Sequence, residues 1–420
     1  MAMMDMNMRR VVITGLGAIA PNGIGKDEIW ENSVAGKNCL DQITKFDTEK
    51  IPVKMAGEIR NFVETDFLSA RQAHKLDVFT KYAIAASDLA LKDSNADLNQ
   101  VDKTRCGTYI GNCFGGWTFN DQQLRLLHTK GVDEFSPFVG TAWFPAAPQG
   151  EITIRNKLKG HSKTIDAGRA SGLAAIGYGA RAIAQGRADI ILAGASEAVM
   201  TPFTFSAIYT EGVEEPSHRI SENGIYQPFD KKRSGWIPGE GAAILMLEEY
   251  EHAQRRNAKI YGEIKGFSEI AGACHPRFLA TDELGLDYTI AEALKEAEMD
   301  QNDIDLIMAD GLGTSAGDLS EYQALQKSMS NVYSRIPVTV PKTMTGNLYG
   351  AAGALDAFWA TLSIESNIAL PTINYEDPDP LFDLTIVDET KTNLSIDNVL
   401  INGRGNGGIC ASLVIGSVCS

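Results

Sequence analysis

The chain has 420 residues, 44% hydrophobic and 22% charged, which is ordinary globular composition with length for one large core or two fused ones. A net charge of −16 excludes a nucleic-acid binder, which needs a basic footprint. No apolar run approaches membrane-spanning length.

In chain order, Met1–Met8 is rich in methionine but interrupted by Asp5 and Asn7, and a strand pattern follows at once. It lacks the apolar core of a signal peptide, so a cytoplasmic location is expected. The first strand is predicted over Arg10–Thr14, and the Gly15-Leu16-Gly17 run after it lacks the third glycine of a dinucleotide fingerprint. Further strands are predicted over Cys106–Gly111, Lys163–Asp166, Ala188–Ala193, Ala243–Glu248, Leu306–Ala309, Val338–Val340, Asn398–Asn402 and Ala411–Ile415. Helices are predicted between them, most clearly Val78–Lys92, Ser171–Gln185, Thr289–Ala297, Asp318–Ser328 and Ala351–Ser363. This alternation implies an α/β fold. A faint internal echo relates residues 187–194 to 396–403, each following a helix rich in Ala and Gly, as two similar halves meeting near 250–258 would produce.

The turn at 164–173 carries the sharpest chemical information. It reads as a strand that breaks at small residues and opens a helix, an elbow in which the bend residue is exposed and the helix N-terminus would activate a thiol. The bend residue is Arg169. A guanidinium is permanently charged and a poor nucleophile, so covalent acyl-enzyme chemistry is not expected. The cysteines (Cys39, Cys106, Cys113, Cys274, Cys410 and Cys419) show no CxxC or metal-ligand spacing; reduced thiols and no metal are expected. Two basic clusters, Lys231-Lys232-Arg233 and the group Arg155, Lys157, Lys159 and Lys163, are expected on solvated surface.

Four segments together resemble the β-ketoacyl-acyl carrier protein synthases of the thiolase superfamily: residues 10–17, Pro238-Gly239-Glu240-Gly241-Ala242, Ala316-Gly317-Asp318 with Glu321, and Lys342-Thr343-Met344-Thr345-Gly346-Asn347. The resemblance covers nearly the whole chain. It implies a thiolase-like fold of two pseudo-symmetric α/β halves, residues 1–255 and 256–420, in a five-layered αβαβα arrangement. It also implies a Cys-His-His site, and this chain carries Arg169, Asp310 and Asn347 at those places. A carboxylate at the first histidine position would repel a developing enolate. The phenylalanine-rich gating turn of active synthases reads Asn402-Gly403-Arg404-Gly405-Asn406-Gly407-Gly408, with both aromatic positions polar.

Within the family the chain is similar to the chain length factor, the β subunit of the ketosynthase heterodimer in type II polyketide synthases. The likeness lies at residues 115–119, 142–145, 150–156, 309–313 and 345–349. Chain length factors more often carry glutamine where this chain has Arg169. The resemblance implies a noncatalytic subunit that pairs with a catalytic ketosynthase α subunit and shapes the tunnel setting polyketide chain length. Alternatives are a malonyl-carrier decarboxylase that primes synthesis and a homodimeric scaffold without synthase activity. No cofactor is expected on this chain; phosphopantetheine would arrive on the acyl carrier protein, docking mainly on the partner because of the like charge here.

Arg169 and Asp310 are expected to face one another as an ion pair filling a dead pocket, with Asn347 satisfying leftover groups. An anion site at Arg169, for a malonyl carboxylate or a phosphopantetheine phosphate, is the alternative. Lys342 with Asp318 and Glu321 is expected to form a retained scaffold network, and Glu240 to serve likewise. Tunnel candidates are Trp117, Phe119, Gln123 and Leu124, read as sharing a helix face. Phe135, Pro137, Phe138, Thr141, Trp143 and Phe144 form an aromatic stretch expected at the partner interface. His275 is read as an incidental loop histidine.

Overall fold

The computed structural model describes residues 8–214, 218–274 and 285–418, the side chain at 331 excepted. His275 and Cys419 lie outside the described residues.

The first strand, β1 (Val11–Ala20), is buried along its whole length and runs well past its predicted end. The Gly15 and Gly17 positions belong inside it because a helix, α1 (Val78–Asp93), lies directly on them. A Cβ at Gly15 would stand 2.3 Å from the Ala90 carbonyl oxygen, and one at Gly17 would stand 2.1 Å from that of Ala86. The glycine run is therefore a packing surface.

The remaining principal strands are β2 (Cys106–Gly111), β3 (Lys163–Ile165), β4 (Ile190–Glu197), β5 (Gly241–Glu249), β6 (Gly262–Ala271), β7 (Leu306–Met308), β8 (Pro337–Thr339), β9 (Asn398–Arg404) and β10 (Ile409–Gly416). In space the first half is ordered β1-β5-β4-β2-β3 and the second β6-β10-β9-β7-β8. The two orders correspond place for place, and the echoing segments 187–194 and 396–403 lead into or form β4 and β9, which hold the same place in each sheet. The sheets join edge to edge where Val12 and Ile13 pair antiparallel with Glu263 and Gly262.

The remaining principal helices are α2 (Trp117–Lys130), α3 (Ala147–Asn156), α4 (Ser171–Ala184), α5 (Pro202–Glu214), α6 (Leu286–Glu296), α7 (Ser315–Met329) and α8 (Ala352–Ser366). Helices α4 and α8 pack on each other and touch strands of both sheets, so they form the middle layer. Both are apolar on nearly every side, as a helix between two sheets must be. Helix α1 covers β1, β4 and β5 on one outer face, and α6 covers β6 and β10 on the other. The result is the five-layered thiolase-like α/β fold. No described helix is long and apolar enough to cross a membrane.

Sequence reasoning missed β6, the seam strand. Its Gly262, Glu263, Lys265 and Gly266 resemble a loop, yet Arg10 holds Glu263 at 2.9 and 2.7 Å, and α6 needs Gly266 bare: a Cβ there would stand 2.1 Å from the Ala293 carbonyl oxygen. Helices α3 and α5 were also unpredicted.

Candidate functional site

Strand β3 ends at Ile165, and the chain bends through Gly168, whose φ of 58° is the left-handed conformation glycine tolerates best. The Ala167 amide donates to Ser171 Oγ at 2.8 Å, closing the elbow onto the start of α4. Arg169 sits at this bend and is only 2% exposed. The expected partner is absent: Asp310 does not pair with Arg169, and among the described residues no carboxylate lies within ion-pair distance of that guanidinium. Instead Nη1 donates to Asn406 Oδ1 at 3.3 Å, Nη2 meets His218 Nδ1 at 3.2 Å, and the guanidinium carbon lies 5.8 Å from the ring centres of both Trp236 and Tyr349. Asn406 in turn donates to Glu211, so negative charge reaches Arg169 only through an amide.

Asp310 is taken by a different cation. Arg404 Nε donates to Asp310 Oδ2 at 2.9 Å, its Nη1 to the Gly317 carbonyl at 2.9 Å, and its Nη2 to Glu321 Oε2 at 3.3 Å. The physical reason is topological: Arg404 ends β9, and β9 pairs directly with β7, whose end leads into Asp310. Burial works against the charged guanidinium, but the Asp310 and Glu321 carboxylates raise its pKa. Burial likewise pushes Glu321 up, with Arg404 opposing.

Lys342, Asp318 and Glu321 all grip the 309–313 loop but do not form one mutual ion cluster. Glu321 accepts from the amides of Asp310 and Gly311, both at 2.8 Å, and Asp318 from Gly313 at 2.8 Å. Lys342 donates to the carbonyls of Ala309 and Asp310 at 3.1 and 3.3 Å, and its counter-ion is Asp356 at 2.7 Å, a residue the sequence reading did not single out. Burial pushes Asp318 up to about 7 and Asp356 to about 6. Asn347 is fully buried, and its Oδ1 accepts from the Tyr349 amide at 2.9 Å rather than serving Arg169 or Asp310. Glu240 stands apart, pairing with Lys45 and accepting from the Ile59 amide at 2.9 Å. Arg233, expected on solvated surface, is nearly buried against Asp379 at 2.6 Å and Asp318 at 3.7 Å.

The tunnel candidates divide between two faces of α2, because each residue turns the helix by about 100°. Phe119 and Gln123 face a groove of about 800 Å³ that Asp77, Phe135, Pro137 and Phe138 also line. Trp117 lies on the other side, stacked on Phe203 at 4.1 Å between ring centres, and Leu124 shares that side by its position seven residues on. Gln123 is buried with its Oε1 accepting from the Ser136 amide at 2.8 Å, so it ties the helix to the following segment. That segment also divides. Phe135 and Phe138 are half-buried in the groove, whereas Thr141, Trp143 (41% exposed) and Phe144 (53%) stand out on the surface, as does Phe203 (49%). Strand β3 is the end strand of the sheet, with Lys163 exposed.

His218, Glu211 and Asp356 carried no signal in the sequence: each is recognised only by what the fold sets beside it. Arg404 did carry one, as a cation where an aromatic residue was expected. The described cysteines are free, and burial raises Cys106 to about 11 and Cys410 to about 12.

Two family descriptions match this chain: the β-ketoacyl synthase N-terminal domain over residues 8–253 and the C-terminal domain over 261–376. The chain belongs to the β-ketoacyl synthase family. It is 35% identical over 414 residues to a 3-oxoacyl-[acyl-carrier-protein] synthase 2 of Coxiella burnetii, covering 98% of this chain and 100% of that protein. A protein of the same name from Staphylococcus aureus is 34% identical, with 97% and 98% covered. Among solved structures, the ishigamide ketosynthase/chain length factor superposes with a TM-score of 0.89 at 28% identity, over 98% of this chain and 100% of that one. A type II PKS acyl-carrier protein in complex with its ketosynthase bound to the hexaketide gives 0.88 at 30% identity, with the same coverage. The ketosynthase frame is therefore retained end to end, while the elbow and the two loops facing it carry arginine, aspartate and asparagine.

Proposed function

We propose that this chain is a noncatalytic ketosynthase-like subunit, a chain length factor, that pairs with a catalytic ketosynthase and shapes the tunnel controlling polyketide length. One observation carries the reading: Arg169 occupies the elbow as a buried, permanently protonated side chain, while Arg404 occupies Asp310. Neither a nucleophile nor a proton-donating imidazole pair is left at the places where the family uses them. The likeness to the ishigamide ketosynthase/chain length factor supports the same reading. So do the exposed Trp143, Phe144 and Phe203 and the open edge of β3, which are features of a surface that another subunit covers.

The partner supplies the reactive cysteine and histidines. The acyl carrier protein, with its phosphopantetheine arm, docks mainly on that partner, since a net charge of −16 repels an acidic carrier. Co-expression with a catalytic ketosynthase sister tests the assembly: a 1:1 heterodimer is expected, and a stable homodimer with or without malonyl-carrier decarboxylation would replace this reading with one of the alternatives. Alanine at Trp117, Phe119 or Leu124 is expected to lengthen the product made by the reconstituted heterodimer with carrier and malonyl donor.

A further inference from the structure

We infer that Asp77 is a positioning residue for the chain-length segment, one buried carboxylate that sets where helix α2 begins and so where Phe119 meets the groove. The inference rests on the chain length factor reading and deepens it.

Asp77 is the N-cap of α1, and its Oδ1 accepts from the Phe79 amide at 3.0 Å. Its other oxygen leaves its own helix. Oδ2 accepts from Thr118 Oγ1 at 2.6 Å and from the Phe119 amide at 2.5 Å, both in the first turn of α2. Helix α2 cannot cap itself, because the residue before it is Gly116, which has no side chain to offer. Nor can that residue be enlarged: a Cβ at Gly116 would stand 2.2 Å from the Ala142 carbonyl oxygen. The cap is therefore supplied across the fold, and the positive ends of two helix dipoles converge on one carboxylate that is 1% exposed. Most of α2 is half-buried or exposed, so few other contacts hold it. The Trp117–Phe203 stack and the Gln123–Ser136 bond do so at its first residue and its middle.

The two roles of Asp77 separate in Asp77→Ser, in which the shorter hydroxyl can cap α1 but cannot reach Thr118 and Phe119. Thr118→Val removes one cross-helix bond without touching α1 and serves if the first variant fails to fold. In the heterodimer with its catalytic sister, amide hydrogen exchange over residues 117–121 is expected to quicken about tenfold, while residues 79–84 stay within about twofold. The distribution of product lengths is expected to shift by at least one condensation. Unchanged exchange at 117–121 overturns the inference, and so does faster exchange with unchanged product lengths. Phe119→Ala is the control that separates the two readings. If it alters product length and the Asp77 and Thr118 variants do not, only this inference fails; if it too leaves product length unchanged, the chain-length reading fails.

Discussion

Two arginines are buried at the candidate site, and they are held in opposite ways. Arg404 meets two carboxylates and a backbone carbonyl, so its charge is compensated where it sits. Arg169 meets an amide oxygen, an imidazole and two aromatic faces, and the nearest acid in its network, Glu211, is one residue removed. The difference teaches that this pocket is not filled by one ion pair. Arg404 locks the 402–408 turn to the 309–313 loop by charge, whereas Arg169 fills the elbow by shape and weak polar contact.

The largest effect is expected on the compensated side. Arg404→Met leaves Asp310 and Glu321 buried without their cation and is expected to lower stability by about 3–5 kcal/mol, read as a shift in the urea midpoint. Adding Asp310→Asn to that variant is expected to recover part of the loss. If the double variant is as weak as the sum of the two singles, the pair is not coupled.

The pH profile compares both sides at once. Burial pushes Asp318, near Arg404, up to about 7, and Glu197, which holds the amides of Cys113, Phe114 and Gly350, up to about 8. Both folded-state values lie above those of the unfolded chain, about 4 for a free carboxyl, so the stabilisation is complete only below that range, is lost progressively as pH rises from there to 7 and 8, and changes no further above. Carboxylates held low, such as Glu248 and Glu263, act in the opposite sense, but their contribution is complete well below pH 6. The thermal midpoint is therefore expected to fall from about pH 5 to about pH 8 and to level off above. Glu197→Gln is expected to remove the fall between about 7 and 8 and to leave a shallower one that ends near 7. A flat profile in the parent chain would contradict the assignment.

A smaller effect is expected at the elbow. Arg169→Met forfeits two long hydrogen bonds and weak cation–π contact but strands no carboxylate, so a change within about 1 kcal/mol is expected. A loss as large as that of Arg404→Met would erase the distinction between the two arginines. Smallest of all is the expected effect on folding of Phe144→Ser, about 0.5 kcal/mol or less, because that ring is already half in solvent. Under the proposed heterodimer its weight falls on assembly, and gel filtration with a catalytic ketosynthase is expected to show weakened pairing.

Much of the fold was legible because its elements obey simple periods. The predicted helices 78–92 and 171–185 and the strands around 106–111 and 398–402 lie within a few residues of α1, α4, β2 and β9. The seam strand β6 was illegible because its charges and glycines are explained only by Arg10 and α6, which reach it from far along the chain. The helix α2 was legible but not the faces of its residues, since proximity in sequence does not say which side of α2 meets the groove.

By itself the sequence determined which side chain stands at the elbow, an arginine and not a thiol, because residue type survives any folding. It also determined the family and the alternation of strand and helix. Only the tertiary structure decided which charges meet. Arg169 and Asp310 are opposite in sign and both stand at the family's site positions, but β9 sets Arg404 alongside the end of β7, and a buried carboxylate pairs with the cation that strand register places against it.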